Sequence, residues 1–147
     1  MTPNPTDEHF RKLERMYAAA PINRFFEPVL HVAEGAAKMT IPVKPEFFHA
    51  ANAIHGTVYF KALDDSAFFA ANSLVDDVFV LTVSFNVSIT RPVSSGELRA
   101  AGAVVHRSRN LILADSVVHD SQGRQVARGS GSFMRSQIPL TPEIGYR

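Results

Sequence analysis

The spacing of hydrophobic residues predicts a helix at the start of the chain and strands soon after it. Apolar side chains recur every three or four residues at Phe10, Leu13, Met16 and Tyr17. This spacing predicts a helix over residues 9–19, with Asp7 as its N-cap after a loose segment at 1–7, and with Pro21 just beyond its end. From residue 28 the spacing shortens, and VLHVAEG and AAKMTIPV are typical of a hairpin that turns at Glu34-Gly35.

A long apolar segment at residues 57–73 follows, and then a series of strand-like segments. TVYFKALDDSAFFAANS lacks glycine and proline and is apolar on nearly all sides, which predicts a buried helix. Turn sequences separate four segments of strand composition: VFVLTVSFNVSITRP, ELRAAGAVVHRS, NLILADSVVHDS and RQVARGSGSFMRS. We expect an antiparallel meander of these four strands, in a curved sheet wrapped around the long helix. The prediction is an α+β fold with a single domain over 1–147, in which 1–27 form an N-terminal helix and linker and 136–147 an irregular tail.

Composition narrows the classes of function. A chain of 147 residues with 46% hydrophobic and 20% charged residues fits one globular domain. The formal net charge of +1 gives no general attraction to nucleic acid, and the lack of cysteine excludes disulfides, thiolate metal sites and a Cys nucleophile. Neither a signal peptide nor a membrane span is indicated, so we expect a cytoplasmic protein with no nucleic-acid partner and no membrane partner.

Two adjacent carboxylates, Asp64 and Asp65, lie in the middle of the predicted apolar helix. Each needs a partner, because a buried carboxylate without one costs several kcal/mol (~3–5). Lys61 lies one turn before Asp65, so an ion pair gives Asp65 a structural role, and substrate binding is the other candidate role. Asp64 shares its side of the helix with Phe60 and Phe68, neither of which is cationic, so its partner must come from elsewhere in the fold, from another subunit, or from substrate and water. We expect a raised pKa and a role as catalytic base, with a structural Asp bonded to backbone amides as the alternative.

The segment HAANAIHGT, residues 49–57, leads into this helix. Gly56 lets the chain turn and places backbone N–H groups at the positive end of the helix, where they suit a thioester carbonyl or an oxyanion. The alternative is a helix start without a chemical role. His49, His55 and Asp64 could also be metal ligands, but their spacing across a loop and a helix is not a standard one. We therefore expect no metal and no other cofactor.

A basic turn, HRSRN at residues 106–110, connects two of the predicted strands. Arg107 and Arg109, with Ser108 between them, are residue types that bind phosphate groups, and arginine does so in bidentate fashion. The alternative is a solvated hairpin tip.

Together, HAANAIHGTVYFKALDDSAFFAANS and the strands after it resemble the PaaI-like hotdog-fold acyl-CoA thioesterases over about residues 28–135. In that family a His-Gly-Gly turn opens the central helix and the catalytic Asp follows nine residues after the His, which corresponds here to His55 and Asp64. The later pattern NVSITRP also matches. The resemblance implies a hotdog domain and a homodimer or homotetramer whose sites lie between two subunits.

The resemblance also implies roles for individual residues. Asp64 corresponds to the general base or nucleophile, and the N–H of Gly56 to the donor that binds the carbonyl oxygen. Thr82 corresponds to a hydroxyl that helps place the water, with Ser84 on the same face of the strand. The basic residues that meet the CoA phosphates correspond to Arg107, Ser108 and Arg109.

The chain departs from the family pattern at three positions. Thr57 replaces the second glycine of the turn, and Asp65 follows the base where Thr or Asn is usual. His49 stands where the family has Asn or Gln, so either His49 or Asn52 is the candidate for orienting the water.

These observations predict hydrolysis of an acyl-CoA thioester to the free acid and CoA. Two alternatives stay open. One is a hotdog protein that binds acyl-CoA or another apolar ligand without hydrolysis. The other is a hydratase that acts on enoyl or hydroxyacyl thioesters, with His49 or His55 as its base.

Overall fold

A computed structural model describes residues 4–147. The helices are α1 (Pro5–Ala19), α2 (Asn23–Phe26) and α3 (Gly56–Asn72). The strands are β1 (Val29–Ala33), β2 (Ala36–Pro42), β3 (Val78–Ile89), β4 (Glu97–Arg107), β5 (Ile112–His119) and β6 (Gln125–Pro139). Two short 3-10 turns lie at Pro45–Phe47 and Pro142–Ile144. Within residues 4–147, no helix combines the length and the hydrophobicity needed to cross a bilayer.

All six strands form one antiparallel sheet in the order β1-β2-β4-β5-β6-β3. Helix α3 packs against all six of these strands, most of all β4 and least of all β1. The predicted α+β architecture, one long helix against an antiparallel sheet, is confirmed, and so is the hairpin at Glu34-Gly35, where Gly35 has a φ of 66°. The arrangement is the hotdog fold.

The expected meander of four consecutive strands is wrong in one respect. Strands β4, β5 and β6 do form a meander, but β3 pairs with β6 and lies at the edge of the sheet. The physical reason is the connection after β3, which crosses the start of α3 instead of making a tight turn. Val93 in this connection accepts a hydrogen bond from the Ile54 N–H at 3.0 Å, so the chain leaves β3 at one edge and re-enters the sheet beside β2.

Both chain ends differ from the prediction. Helix α1 begins at Pro5, because the Asn4 side chain caps it by accepting from the Thr6 N–H at 3.1 Å and proline is favoured at the first helical position. Asp7 is therefore not the cap, and of the segment predicted to be loose, residues 1–3 lie outside the described residues. At the other end, β6 runs to Pro139, since its pairing with β3 continues beyond the predicted start of the tail.

Helix α3 lies directly on the backbone of the sheet. A Cβ at Gly102 on β4 would overlap the backbone of Ser66 and Ala67. Next to it on β5, the buried Ser116 hydroxyl donates to the Leu63 carbonyl at 2.9 Å. Residues 63–67 of α3 are thus held against β4 and β5, and the side of the helix that carries Asp64 turns toward β3.

Candidate active site

Asp64 meets a hydroxyl on β3. The Thr82 Oγ1 donates to Oδ1 of Asp64 at 2.9 Å, and the carboxylate is half-buried. Burial raises the pKa of Asp64 to about 6, the Thr82 hydrogen bond opposes this rise, Asp65 adds to it, and Lys61 opposes it more weakly. The raised pKa agrees with the expectation from sequence, and the partner is one that helical spacing could not supply.

Aromatic pairs flank the Asp64 carboxylate on both sides. One turn before it, Phe60 meets Phe85 edge-on with ring centroids 5.7 Å apart, and one turn after it, Phe68 meets Phe79 at 5.0 Å. Burial of the carboxylate is the physical origin of its raised pKa, and Phe60 and Phe68 are its apolar neighbours one turn away on α3.

A bulge in β3 sets which side chains face α3. Thr82 pairs with Phe133 and Ser84 with Ser132, so residue 83 is the extra residue of the bulge. Because neighbours on β6 point to opposite faces, Thr82 and Ser84 also face opposite ways. The prediction that Ser84 lies beside Thr82 on the same face is therefore wrong. Its hydroxyl instead pairs with that of Ser132 at 2.5 Å on the exposed side.

Asp65 is neutralised where Asp64 is not. Its Oδ2 accepts from the Lys61 Nζ at 2.8 Å and from the Tyr17 hydroxyl of α1 at 2.5 Å. The Lys61-Asp65 ion pair predicted from the helical spacing is confirmed. Burial, together with Asp65, raises the pKa of Tyr17, so this phenol stays protonated as a donor. Sequence reasoning placed Tyr17 on the apolar face of α1 but gave no signal that it reaches α3.

Asp64, Asp65 and Thr82 lie at the wall of a cavity of about 890 Å³. The cavity is bounded by α3, by β3, by the residues between α1 and α2, and by the C-terminal residues after β6. Helix α3 and strand β3 contribute two carboxylates, Thr82 and Lys61 to the cavity wall. The other side chains that they contribute are aromatic or aliphatic. This arrangement suits an apolar ligand whose reactive end meets Asp64.

Gly56 and His49 lie elsewhere. Gly56 is the first residue of α3, where its N–H has no acceptor within the helix, and it borders a second pocket together with His49. Asp64 follows Gly56 by eight positions along the helix, which is about 12 Å at about 1.5 Å per residue. Within one chain, these two residues therefore do not reach the same carbonyl group.

His55 and Asn52 have local structural partners. The Nδ1 of His55 caps α3 by accepting from the Thr57 N–H at 3.1 Å, and it also meets the Thr57 hydroxyl at 3.0 Å. Asn52 has a φ of 63°, a conformation that asparagine tolerates better than most residues, in a turn where its N–H donates to the His49 carbonyl at 3.1 Å. Among residues 4–147, His, Cys, Asp and Glu side chains form no group of three or more that could hold a metal ion.

The basic turn forms a third pocket, of about 330 Å³, near the end of α3. Arg107, Ser108 and Arg109 border it, as expected for neighbours in one turn, and Asn110 and Arg135 join them. Arg107 donates to the Leu74 carbonyl at 3.0 Å, and Arg135 pairs with Asp77 at 2.5 Å. The sequence gave no signal for Arg135, because its place beside the turn follows from the pairing of β5 with β6.

Comparison with known proteins identifies the family. A family model described as the thioesterase superfamily matches residues 51–127, just over half of the chain. A predicted esterase of Saccharolobus solfataricus is 23% identical over 127 residues, which cover 86% of this chain and 87% of the relative. A predicted esterase of Mycobacterium tuberculosis is 30% identical over 97 residues, which cover 63% of this chain and 69% of the relative. The family and these relatives support thioester hydrolysis as the general activity.

Solved structures match the fold. The Escherichia coli PaaI protein from the phenylacetic acid degradation operon superposes with a TM-score of 0.84 at 19% identity, covering 94% of this chain and 100% of that one. The structure of the Mycobacterium tuberculosis esterase gives a TM-score of 0.76 at 23% identity, covering 80% and 97%. At these identities the structures establish the hotdog fold, and the family model establishes more: the chain belongs to the thioesterase superfamily.

Proposed function

We propose that the protein hydrolyses acyl-CoA thioesters to the free acid and CoA, with Asp64 as the general base or nucleophile. The observation that supports this most directly is the environment of Asp64. Its carboxylate is flanked by aromatic rings, receives a hydrogen bond from Thr82 and borders a large cavity, with a pKa of about 6. At neutral pH such a group is ionised and still basic enough to take a proton from water.

The reaction begins when Asp64 removes a proton from a water molecule that attacks the thioester carbon. The Thr82 hydroxyl holds the carboxylate, and His49 or Asn52 orients the water. The carbonyl oxygen becomes an oxyanion, which the N–H of Gly56 stabilises at the positive end of α3. The C–S bond then breaks, the CoA thiolate leaves and is protonated, and the acid is released. Alternatively, Asp64 attacks the carbon directly and water hydrolyses the resulting anhydride.

This mechanism requires two copies of the chain. Gly56 and Asp64 are about 12 Å apart along α3 and border different pockets. Strand β3 is a 12-residue edge of the sheet, with Leu81, Val83 and Ile89 exposed. Long edges of this kind pair with other chains unless something blocks them. In the proposed homodimer, or a homotetramer built from it, Asp64 of one subunit works with Gly56 of the other.

The CoA portion has a candidate site of its own in this proposal. Arg107, Ser108 and Arg109 border the basic pocket, and arginine suits the phosphates of CoA because it forms two parallel hydrogen bonds with a phosphate. The side chain of Asp65 completes the polar wall near the thioester.

The experiment is release of free CoA thiol from a panel of acyl-CoAs by the wild type and by Asp64→Asn. We expect the variant to lose about a hundredfold or more in kcat/KM, because a positioned base contributes about that much. The matched control is Asp115→Asn, since Asp115 also accepts a hydrogen bond from a hydroxyl, that of Ser130 at 2.7 Å, but on the exposed face of the sheet. A folded wild type that releases no thiol from any acyl-CoA would contradict the proposal and favour a protein that binds acyl-CoA without hydrolysis.

A mixing experiment tests the shared site. Gly56→Pro removes the N–H at a helical position where proline is favoured, and His55, with φ −65° and ψ 149°, already has the backbone that precedes proline. Gly56→Ala keeps the N–H and serves as the control, since the added Cβ would lie 3.4 Å from Ile89 Cδ1. Refolding an equimolar mixture of Gly56→Pro and Asp64→Asn should restore about a quarter of wild-type activity, because half the dimers then hold one intact site. No recovery in verified heterodimers would contradict a site that Gly56 and Asp64 share across the subunit interface.

A further inference from the structure

We propose that the substrate carries a large, uncharged apolar acyl group, which lies in the cavity of about 890 Å³ beside Asp64 and contacts the connection between α1 and α2 and the C-terminal residues. The proposal rests on the function proposed above, since it takes Asp64 as the reactive end of the cavity. It adds the chemical class of the acyl group and identifies Ile144 as a residue that determines specificity.

Exposed apolar side chains converge on this cavity from four parts of the chain. They are Ile22 before α2, Leu81 on β3, Ile138 on β6 and Ile144 near the C-terminus, and their exposed fractions lie between 38% and 59%. Single exposed hydrophobic residues are normal on a protein surface, but a group of them around one cavity marks a binding surface for an apolar partner.

The inner wall of the cavity is also apolar. Phe68, Phe69 and Phe79 line it from α3 and β3, with the Phe68-Phe69 and Phe68-Phe79 centroids each 5.0 Å apart. Its volume falls in the range of about 300–1,000 Å³ that is usual for small-molecule pockets. An acetyl group would leave most of this wall in contact with water, whereas an acyl group of eight or more carbons, or an aryl group, would cover it. Covering this wall favours binding of the larger groups.

The charges at the cavity wall disfavour an acyl group with its own carboxylate. Three carboxylates, Asp64, Asp65 and Glu143, line the cavity, against the cations Lys61 and Arg147. Lys61 is already paired with Asp65 at 2.8 Å. A carboxylate at the far end of the acyl group would lose its hydration beside like charges and apolar rings.

The C-terminal residues are held in place at the cavity. The buried His9 on α1 meets the Tyr146 hydroxyl through Nδ1 at 2.7 Å and the Asn72 carbonyl through Nε2 at 3.0 Å. This link joins α1, the end of α3 and the C-terminus. Ile144, two residues before Tyr146, is therefore a fixed part of the cavity wall rather than a side chain on a free end.

The test compares kcat/KM for acetyl-, butanoyl-, octanoyl-, dodecanoyl-, phenylacetyl- and glutaryl-CoA in the wild type, Ile144→Ala and Val105→Ala. We expect kcat/KM to rise from acetyl to octanoyl and to be low for glutaryl. Ile144→Ala should lower kcat/KM for octanoyl-CoA about tenfold and for acetyl-CoA less than about twofold, as loss of an apolar contact predicts. Val105, an exposed apolar residue of β4 that does not border the cavity, is the matched control and should change neither value.

Binding separates this inference from the proposed hydrolysis. Calorimetric titration of Asp64→Asn with octanoyl- and acetyl-CoA should show tighter binding of octanoyl-CoA, and Ile144→Ala added to this variant should remove much of the difference. An active enzyme with equal kcat/KM for all acyl groups would overturn the inference and leave hydrolysis standing. If octanoyl-CoA binds more tightly and the wild type releases no thiol, the inferred acyl cavity is supported and the proposed hydrolysis is contradicted. If Ile144→Ala alters only the oligomeric state in size-exclusion chromatography, the apolar residues belong to an interface and the inference fails.

Discussion

Two adjacent carboxylates on α3 have opposite surroundings. Asp65 faces α1, where Lys61 and Tyr17 both donate to it, so its charge is compensated within the chain. Asp64 faces β3, where Thr82 is its hydrogen-bond partner, and burial raises its pKa to about 6. One helix thus carries a structural ion pair and a carboxylate with a raised pKa in successive positions, because neighbouring residues of a helix face different neighbours.

The largest effect on stability should come from Asp65→Leu. This change leaves the ammonium of Lys61, whose side chain is 11% exposed, without its partner, and it removes the acceptor of the Tyr17 hydroxyl. We expect the free energy of unfolding to fall by about 2–4 kcal/mol, as for other broken ion pairs with little solvent exposure. Urea denaturation at neutral pH measures this, with Asp115→Leu on the exposed face as the control. A loss below about 1 kcal/mol would mean that Asp65 is as solvated as a surface residue.

Asp64→Asn should change stability in the opposite direction. The pKa of Asp64 is about 6 in the folded protein against 3.8 for an unperturbed Asp, so the folded state binds this proton more tightly than the unfolded state does. The stability that Asp64 contributes is therefore fully present below the unfolded pKa and is lost as pH rises through the folded pKa. Above that window, Asp64→Asn should be more stable than the wild type by about 1–2 kcal/mol, allowing for solvent screening of a half-buried group.

Urea denaturation across a pH series measures this gain. The extra stability of Asp64→Asn over the wild type should shrink as the pH falls from about 6 toward 3.8. A gain that does not depend on pH would mean that ionisation of Asp64 is not its cause.

Thr82→Val tests the hydrogen bond that holds Asp64. The Thr82 hydroxyl favours the ionised form, so its loss should raise the pKa of Asp64 further. In the wild type, kcat/KM should fall as pH drops below about 6, since a base must be unprotonated to act. In Thr82→Val this fall should begin at a higher pH, and the plateau value should be about tenfold lower. A normal plateau with an unshifted profile would exclude Thr82 from positioning the base.

The smallest effect should come from Tyr17→Phe, which removes one donor to Asp65 and leaves the Lys61 ion pair in place. We expect a loss of about 1 kcal/mol in the free energy of unfolding, the usual contribution of one hydrogen bond. Thermal unfolding of wild type and variant measures it. A loss as large as that of Asp65→Leu would mean that Tyr17, rather than Lys61, stabilises the carboxylate.

The parts of the site that could be predicted are those fixed by local spacing. The pair of Lys61 with Asp65 follows from one turn of helix, and the apolar neighbours of Asp64 at Phe60 and Phe68 follow from the same geometry. The resemblance placed Thr82 in the site, but its hydrogen bond to Asp64, the reach of Tyr17 and the side of the sheet that Ser84 faces could not be predicted from local spacing. They depend on the edge position of β3, the docking of α1 and a bulge in β3. Each of these features depends on residues far apart in sequence, and the spacing of hydrophobic residues along the chain carries no information about such contacts.

Gly102 has no functional group, and yet a mutational scan for activity would respond to it. Any side chain at this position would overlap the backbone of Ser66 and Ala67, so α3 would have to move away from the sheet. Asp64 precedes Ser66 by only two positions, and a shift of the helix would change its separation from Thr82. The distance between Asp64 and Thr82 therefore depends on how closely the backbone of α3 lies on β4 as well as on the two residues themselves.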